Sequence, residues 1–179
     1  MPVKKPPRAV LTTPFGTITV SVDSDNAPIT AANFMAYVDG GFLDGTSFYR
    51  LVRLDNQPAD TVAKIEVVQF GYKMQGQSYP GPLPPIAHEP TSVTGLTHRD
   101  GTLSMARFKP GTAGSGFVIC VGDQPELDFG GRRQPDGLGF AAFGQVEEGM
   151  DVVRAILARG GPEQVLANPI PLLNARRSE

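Results

Sequence analysis

The tightest constraint on this chain is its punctuation: short β-prone runs alternate with Gly- and Pro-bearing turns along most of its length. In Thr17–Val22, Ile18, Val20 and Val22 alternate with Thr17, Thr19 and Ser21. Together with Ala9–Thr13 across the turn Pro14-Phe15-Gly16, this pattern predicts a hairpin with one buried face. Further strands are expected at 47–52, 64–70, 102–105, 117–121, 140–146 and 170–175, the segment 53–60 between the third and fourth being polar and turn-rich. Two helices are expected. One is capped at Thr30, carries the stripe Ala31, Phe34, Tyr37 and Val38, and stops at Gly40-Gly41. The other spans Met150–Ala158, with Val152, Val153, Ile156 and Leu157 apolar. Residues 71–100 read mainly as ordered loop, and 127–139 as a long mobile one. Eight short strands without a βαβ rhythm predict a mainly β fold, a closed eight-stranded antiparallel β-barrel capped by two α-helices. Closure would remove exposed sheet edges.

Length and composition support one folded unit. The 179 residues are 40% hydrophobic and 19% charged, and the 21 Gly and 17 Pro fit many turns between strands. Residues 1–8 read as an N-terminal tail, with Lys4, Lys5 and Arg8 as solubilising charges, and 9–179 as a single domain. A net charge of −2 provides no electrostatic footprint for nucleic acid or an anionic membrane, and no run approaches a membrane span. The single cysteine, Cys120, excludes an intrachain disulfide and reads as a buried small hydrophobe. The start lacks the apolar segment of a signal peptide, so a cytoplasmic protein is expected as the chain stands, or a periplasmic one if a signal has been removed. A monomer is expected.

Several chemical motifs fail on spacing. Gly114-Ser115-Gly116 is not a nucleophile elbow. His88 and His98 have no metal-ligand spacing and read as hydrogen-bonding groups. Asp123, Glu126 and Asp128 lack the remaining pattern of a calcium loop and read as solvated surface. No metal site or cofactor is expected.

Six blocks in order carry a family likeness: "APITAANFMAYVDGGFLDGTSFYRLV", "VVQFG", "HEPTSVTGLTHRDGTLSMAR", "GSGFVICVG", "LGFAAFGQVEEGMDVV" and the closing strand. Together they resemble the cyclophilins, especially bacterial ones, from about Val10 to Ala175. The resemblance implies an eight-stranded barrel with two capping helices and catalysis of cis–trans isomerisation at Xaa-Pro bonds in polypeptides. It casts Arg50 as the catalytic arginine and Gln69 as the residue that orients it. Ala106 would contact the peptide through its backbone, and Leu127 would line the pocket rim. Val67, Gly116, Phe117, Val118 and Phe140 match the remaining substrate-binding positions. Proline-containing polypeptides are the implied partners.

That chemistry needs no nucleophile. Amide resonance sets a rotation barrier of ~18–20 kcal/mol, and a donor aimed at the prolyl nitrogen stabilises the lone pair that localises there as the bond twists. The departures from the family pattern fall on the pocket. Glu66-Val67-Val68-Gln69 stands for Phe-Met-x-Gln, and Gly116 lacks a glutamine side chain. Val118 replaces a phenylalanine, Glu126 a tryptophan, and Phe140 a histidine or tyrosine. Reduced efficiency is therefore expected. The alternatives are a catalytically impaired proline-peptide-binding or chaperone-like module and, ranked last, a small-molecule-binding barrel.

Overall fold

Thr17–Val22 does form the second arm of a hairpin: the computed structural model, which describes residues 2–179, pairs β1 (Arg8–Thr13) with β2 (Gly16–Val22). The remaining strands are β3 (Ser47–Val52), β4 (Val67–Gly71), β5 (Thr102–Met105), β6 (Gly116–Cys120), β7 (Ala142–Glu148), β8 (Val165–Pro171) and β9 (Asn174–Ser178). The helices are α1 (Pro28–Asp39), α2 (Thr91–Thr94) and α3 (Met150–Leu157). All pairings are antiparallel, in the order β8-β3-β4-β6-β5-β7-β2-β1-β9.

The mainly β class is as expected, but among the described residues nine strands replace eight and three α-helices replace two. The hydrogen-bonded order ends at β8 and β9, so the ladder does not close on itself as the expected barrel would. Both end strands belong to one segment that bends at Leu172-Leu173. Its Leu172 N–H donates to Thr46 on one side and its Leu173 N–H to Thr12 on the other. The sequence "VLANPIP" conceals β8 because it holds two prolines, which only an edge strand tolerates. That strand pairs with β3 alone, and most of its residues are exposed.

Local boundaries move for identifiable reasons. Helix α1 begins at Pro28, with Ala27 as its cap residue, rather than after Thr30. Proline suits the first helical turn, where its missing N–H costs nothing. The free N–H groups of Ile29 and Thr30 instead donate to the buried carboxylate of Glu89, which also accepts from the Thr30 hydroxyl. A carboxylate at a helix N-terminus is favoured by the helix dipole. It anchors α1 to the stretch before α2, a helix in a region expected to be loop.

Ladder register builds the core. Phe48, Phe70, Phe117 and Met105 lie across β3, β4, β6 and β5, and all point inward. The phenyl ring of Phe117 meets Phe34 of α1 edge-on at 5.2 Å and Tyr37 at 5.7 Å. Phe48, Val68, Met105, Phe117, Ile119 and Phe143, which alternation in their strand-like runs assigns to a buried face, all lie in this core. Cys120 is buried too, and desolvation pushes its thiol pKa up. Phe117→Ala is expected to cost about 3–5 kcal/mol through lost burial and a residual cavity, measured by urea denaturation with the fitted slope held in common.

Candidate active site

The other face of the same strands carries polar chemistry. One residue along from the aromatic row, Arg50, Gln69, Val118 and Ser104 line up across β3, β4, β6 and β5. Strict alternation would put Arg50 on the face of Phe48, two residues earlier. A register shift between Phe48 and Arg50 makes Tyr49 the extra residue of a β-bulge and turns Arg50 outward.

Two amide side chains then fix the guanidinium. Arg50 Nη1 donates to Gln69 Oε1 at 3.0 Å, while Nε and Nη2 donate to Gln164 Oε1 at 3.2 and 2.8 Å. The Gln69 amide donates to the hydroxyls of Tyr49 (2.8 Å) and Tyr79 (3.3 Å), so its carbonyl is the end left for arginine. The Gln164 amide donates to the Asn56 carbonyl at 3.1 Å. Burial draws the Arg50 pKa down, yet a guanidinium starts so far above neutrality that it stays charged. Burial likewise raises the pKa of Tyr49 and Tyr79, and both phenols are neutral at ordinary pH.

Beside this group lies a cavity of about 430 Å³. Of the expected site residues, Arg50, Val67, Gln69, Ala106, Val118, Leu127 and Phe140 all line it. Val67, Ala106, Val118 and Leu127 belong to a second apolar cluster outside the main core, with Tyr79 and Phe140 packed against it. A larger cleft of about 640 Å³ lies elsewhere, lined mainly by polar and charged groups that include Lys4, Lys5, Asp23 and Glu147.

Two expected residues do not reach the cavity. Phe117 is fully buried in the main core, because its register places it with Phe70 and Met105 on the inner face. Gly116 is covered by Tyr79: a Cβ built on it would lie 2.6 Å from the tyrosine ring. Tyr79 in turn stacks on Phe108, centroids 5.3 Å apart. Glu126, at the position matched to tryptophan, pairs with Arg132 and does not line the cavity. Sequence reading missed Tyr79, Gln164 and Arg133. Tyr79 and Arg133 lie in aperiodic loops, and Gln164 immediately precedes the unrecognised strand β8.

Comparison with known proteins settles the family. The model of the family described as "Cyclophilin type peptidyl-prolyl cis-trans isomerase/CLD" matches residues 8–176. The chain is a cyclophilin. It is 32% identical to peptidyl-prolyl cis-trans isomerase A of Dickeya dadantii over 93% of this chain and 82% of that protein. It is 34% identical to peptidyl-prolyl cis-trans isomerase cyp18 of Streptomyces antibioticus over 93% and 95% of the two chains. A crystal structure of a Cryptosporidium parvum cyclophilin type isomerase shares the fold, with a TM-score of 0.72 at 18% identity, covering 98% of this chain and 99% of the other.

In this cyclophilin the 127–139 segment, expected to be mobile, is fastened to the pocket wall. Arg107, itself buried, donates to both carboxylate oxygens of Asp136 at 2.9 and 3.0 Å and to the Gly139 carbonyl. Its guanidinium also lies 5.2 Å from the Phe140 ring centroid. The two histidines are hydrogen-bonding groups, as expected. His88 Nε2 lies 3.0 Å from the Leu138 carbonyl, and His98 sits between Asp128 and Ser104 at 2.7 and 2.8 Å.

Two outcomes follow from these contacts. Gly116→Gln alone should lower the melting temperature and kcat/KM because the new side chain collides with Tyr79, while combining it with Tyr79→Ala should recover both. Hydrogen bonds from Arg107, ahead of other causes, hold the Asp136 carboxyl below its ordinary value. Its contribution to stability is therefore complete above about pH 4 and is lost as pH falls through the lowered folded value. Amide protection factors across 128–139 should fall on acidification through that range, and Asp136→Asn should show the lower protection already at neutral pH.

Proposed function

We propose that this cyclophilin is a peptidyl-prolyl cis–trans isomerase acting on exposed Xaa-Pro bonds of polypeptides, with Arg50 as its electrostatic catalyst. The observation that carries the reading is a charged guanidinium fixed by two neutral amides at the edge of an apolar cavity. Three of its five N–H groups are engaged, which leaves one on each terminal nitrogen for substrate. One such N–H meets the prolyl nitrogen as the amide twists out of resonance and its lone pair localises. No bond is made or broken, so the site needs no base and no nucleophile. Val67, Val118, Leu127 and Phe140 receive the ring and exclude water, while the Ala106 backbone aligns the peptide. The related Cryptosporidium parvum protein has also been crystallised in the presence of the dipeptide Ala-Pro, which fits a proline-peptide ligand here. The continuity of β8 and β9 along both outer edges supports reading the sheet as a barrel in its curvature.

The rate should lie below that of relatives with a complete pocket. Val118 is a small floor, and Tyr79 fills the room beside Gly116 that a glutamine side chain would need. These same two features favour a peptide-binding module with little turnover as the second reading. Exchange spectroscopy on an Ala-Pro peptide separates the two. Wild-type protein should accelerate exchange, and Arg50→Ala should lose about a hundredfold or more in kcat while still binding peptide. Wild-type exchange at the uncatalysed rate, with peptide still bound, would establish the binding module instead.

A further inference from the structure

The cavity contains a positive charge that the isomerisation step leaves without a task. Arg133, from the fastened 127–139 segment, lines the same cavity as Arg50. Its Nη1 donates to Gln57 Oε1 at 2.8 Å and to the Ala63 carbonyl at 3.0 Å, which occupies both hydrogens of that nitrogen. Gln57 is held in turn by the backbone of Arg53 and Ile65. The side chain is therefore fixed from one end by neutral acceptors. Among the described residues its Nε and Nη2 have no partner, and those two nitrogens form the parallel edge that grips a carboxylate through two hydrogen bonds.

The surroundings lack the anion. No Asp or Glu lines the cavity, although the chain as a whole carries a net charge of −2. Arg107 is the third guanidinium there, and it is saturated by Asp136, Gly139 and Phe108. Arg133 is partly buried, and desolvation together with the nearby charge of Arg50 draws its pKa down. Two like charges beside an apolar floor repel each other more strongly than they would in water. A substrate carboxylate removes that repulsion and completes the open edge.

We propose that Arg133 is a specificity-determining residue whose Nε/Nη2 edge receives the carboxylate of an Asp or Glu side chain within two residues of the substrate proline, so that acidic proline-containing segments are the preferred substrates. The proposal rests on the reading of this cavity as a proline-peptide site. Arg50 acts on the twisting bond, and its charge adds to the attraction for the acid without being the anchor.

The test uses the whole protein and peptides acetylated and amidated at their ends, so that a side chain supplies the only carboxylate. Glu is scanned through the two positions on each side of proline against Gln, its neutral isostere. At one position or more, Glu should raise kcat/KM about tenfold, the scale of a hydrogen-bonded charge, chiefly by lowering KM. The preference should shrink as salt is raised. Arg133→Gln should reduce the Glu-to-Gln ratio to near one, and Arg133→Lys should recover part of it. If no position favours Glu over Gln by more than twofold in the wild type, the inference is overturned while isomerase activity on Ala-Pro stands. A preference seen only for a peptide ending in a free C-terminal carboxylate also overturns it. Glu-selective binding by calorimetry that depends on Arg133, without rate enhancement, would sustain the inference and overturn the isomerase reading.

Discussion

One extra residue in β3 decides on which side of the sheet the arginine stands. Phe48 opposes Phe70 and Arg50 opposes Gln69, so Tyr49 has no place of its own in the ladder. Without that bulge, the spacing of two between Phe48 and Arg50 would commit both to one face, and a guanidinium would enter the main core unpaired. With it, Leu51 returns inward opposite Val68 and Val52 faces outward opposite Val67. The bulged residue is used as well. Tyr49 is almost fully buried, and its hydroxyl accepts from Gln69, which holds the amide carbonyl toward Arg50.

The sheet therefore separates two apolar layers with different duties. The inner one holds the aromatic cluster of Phe34, Phe48, Phe70, Phe117 and Phe143 and carries most of the burial. The outer one is smaller, built from Val52, Ile65, Val67, Ala106, Val118, Cys120 and Leu127, and forms the floor beneath the cavity. Because β3, β4 and β6 contribute to both, the floor inherits its rigidity from the core. A residue such as Val118, one step from Phe117, can change the pocket without entering the aromatic cluster.

Most of the strands and the inner layer were legible from period-two alternation, as were Arg50 and Gln69 from the block resemblance. What stayed hidden shares a cause: it depends on contacts distant in sequence. Periodicity cannot show that Glu89 caps a helix some sixty residues earlier, so α1 was expected to start too late. Edge placement alone lets "VLANPIP" be a strand. The assignment of Phe117 to the pocket came from motif matching, although its own alternation with Ile119 already placed it inside. Tyr79 and Arg133 come from loops whose paths are set by hydrogen bonds back to the sheet strands and their connections.

The choice of partners around Arg50 suits the electrostatic role proposed for it. A carboxylate would hold the guanidinium more tightly than an amide does, since hydrogen bonds between opposite charges are the strong ones. It would also neutralise the field that, in the proposed mechanism, acts on the developing lone pair at the prolyl nitrogen. Gln69 and Gln164 orient three N–H groups and leave the full positive charge in place. The surrounding phenols, kept neutral by burial, add no negative charge. Desolvating a cation costs energy, and here neutral oxygens offset only part of it. What remains uncompensated is available to attract an electron pair, so the absence of nucleophiles and bases from this site is consistent with the chemistry proposed for it.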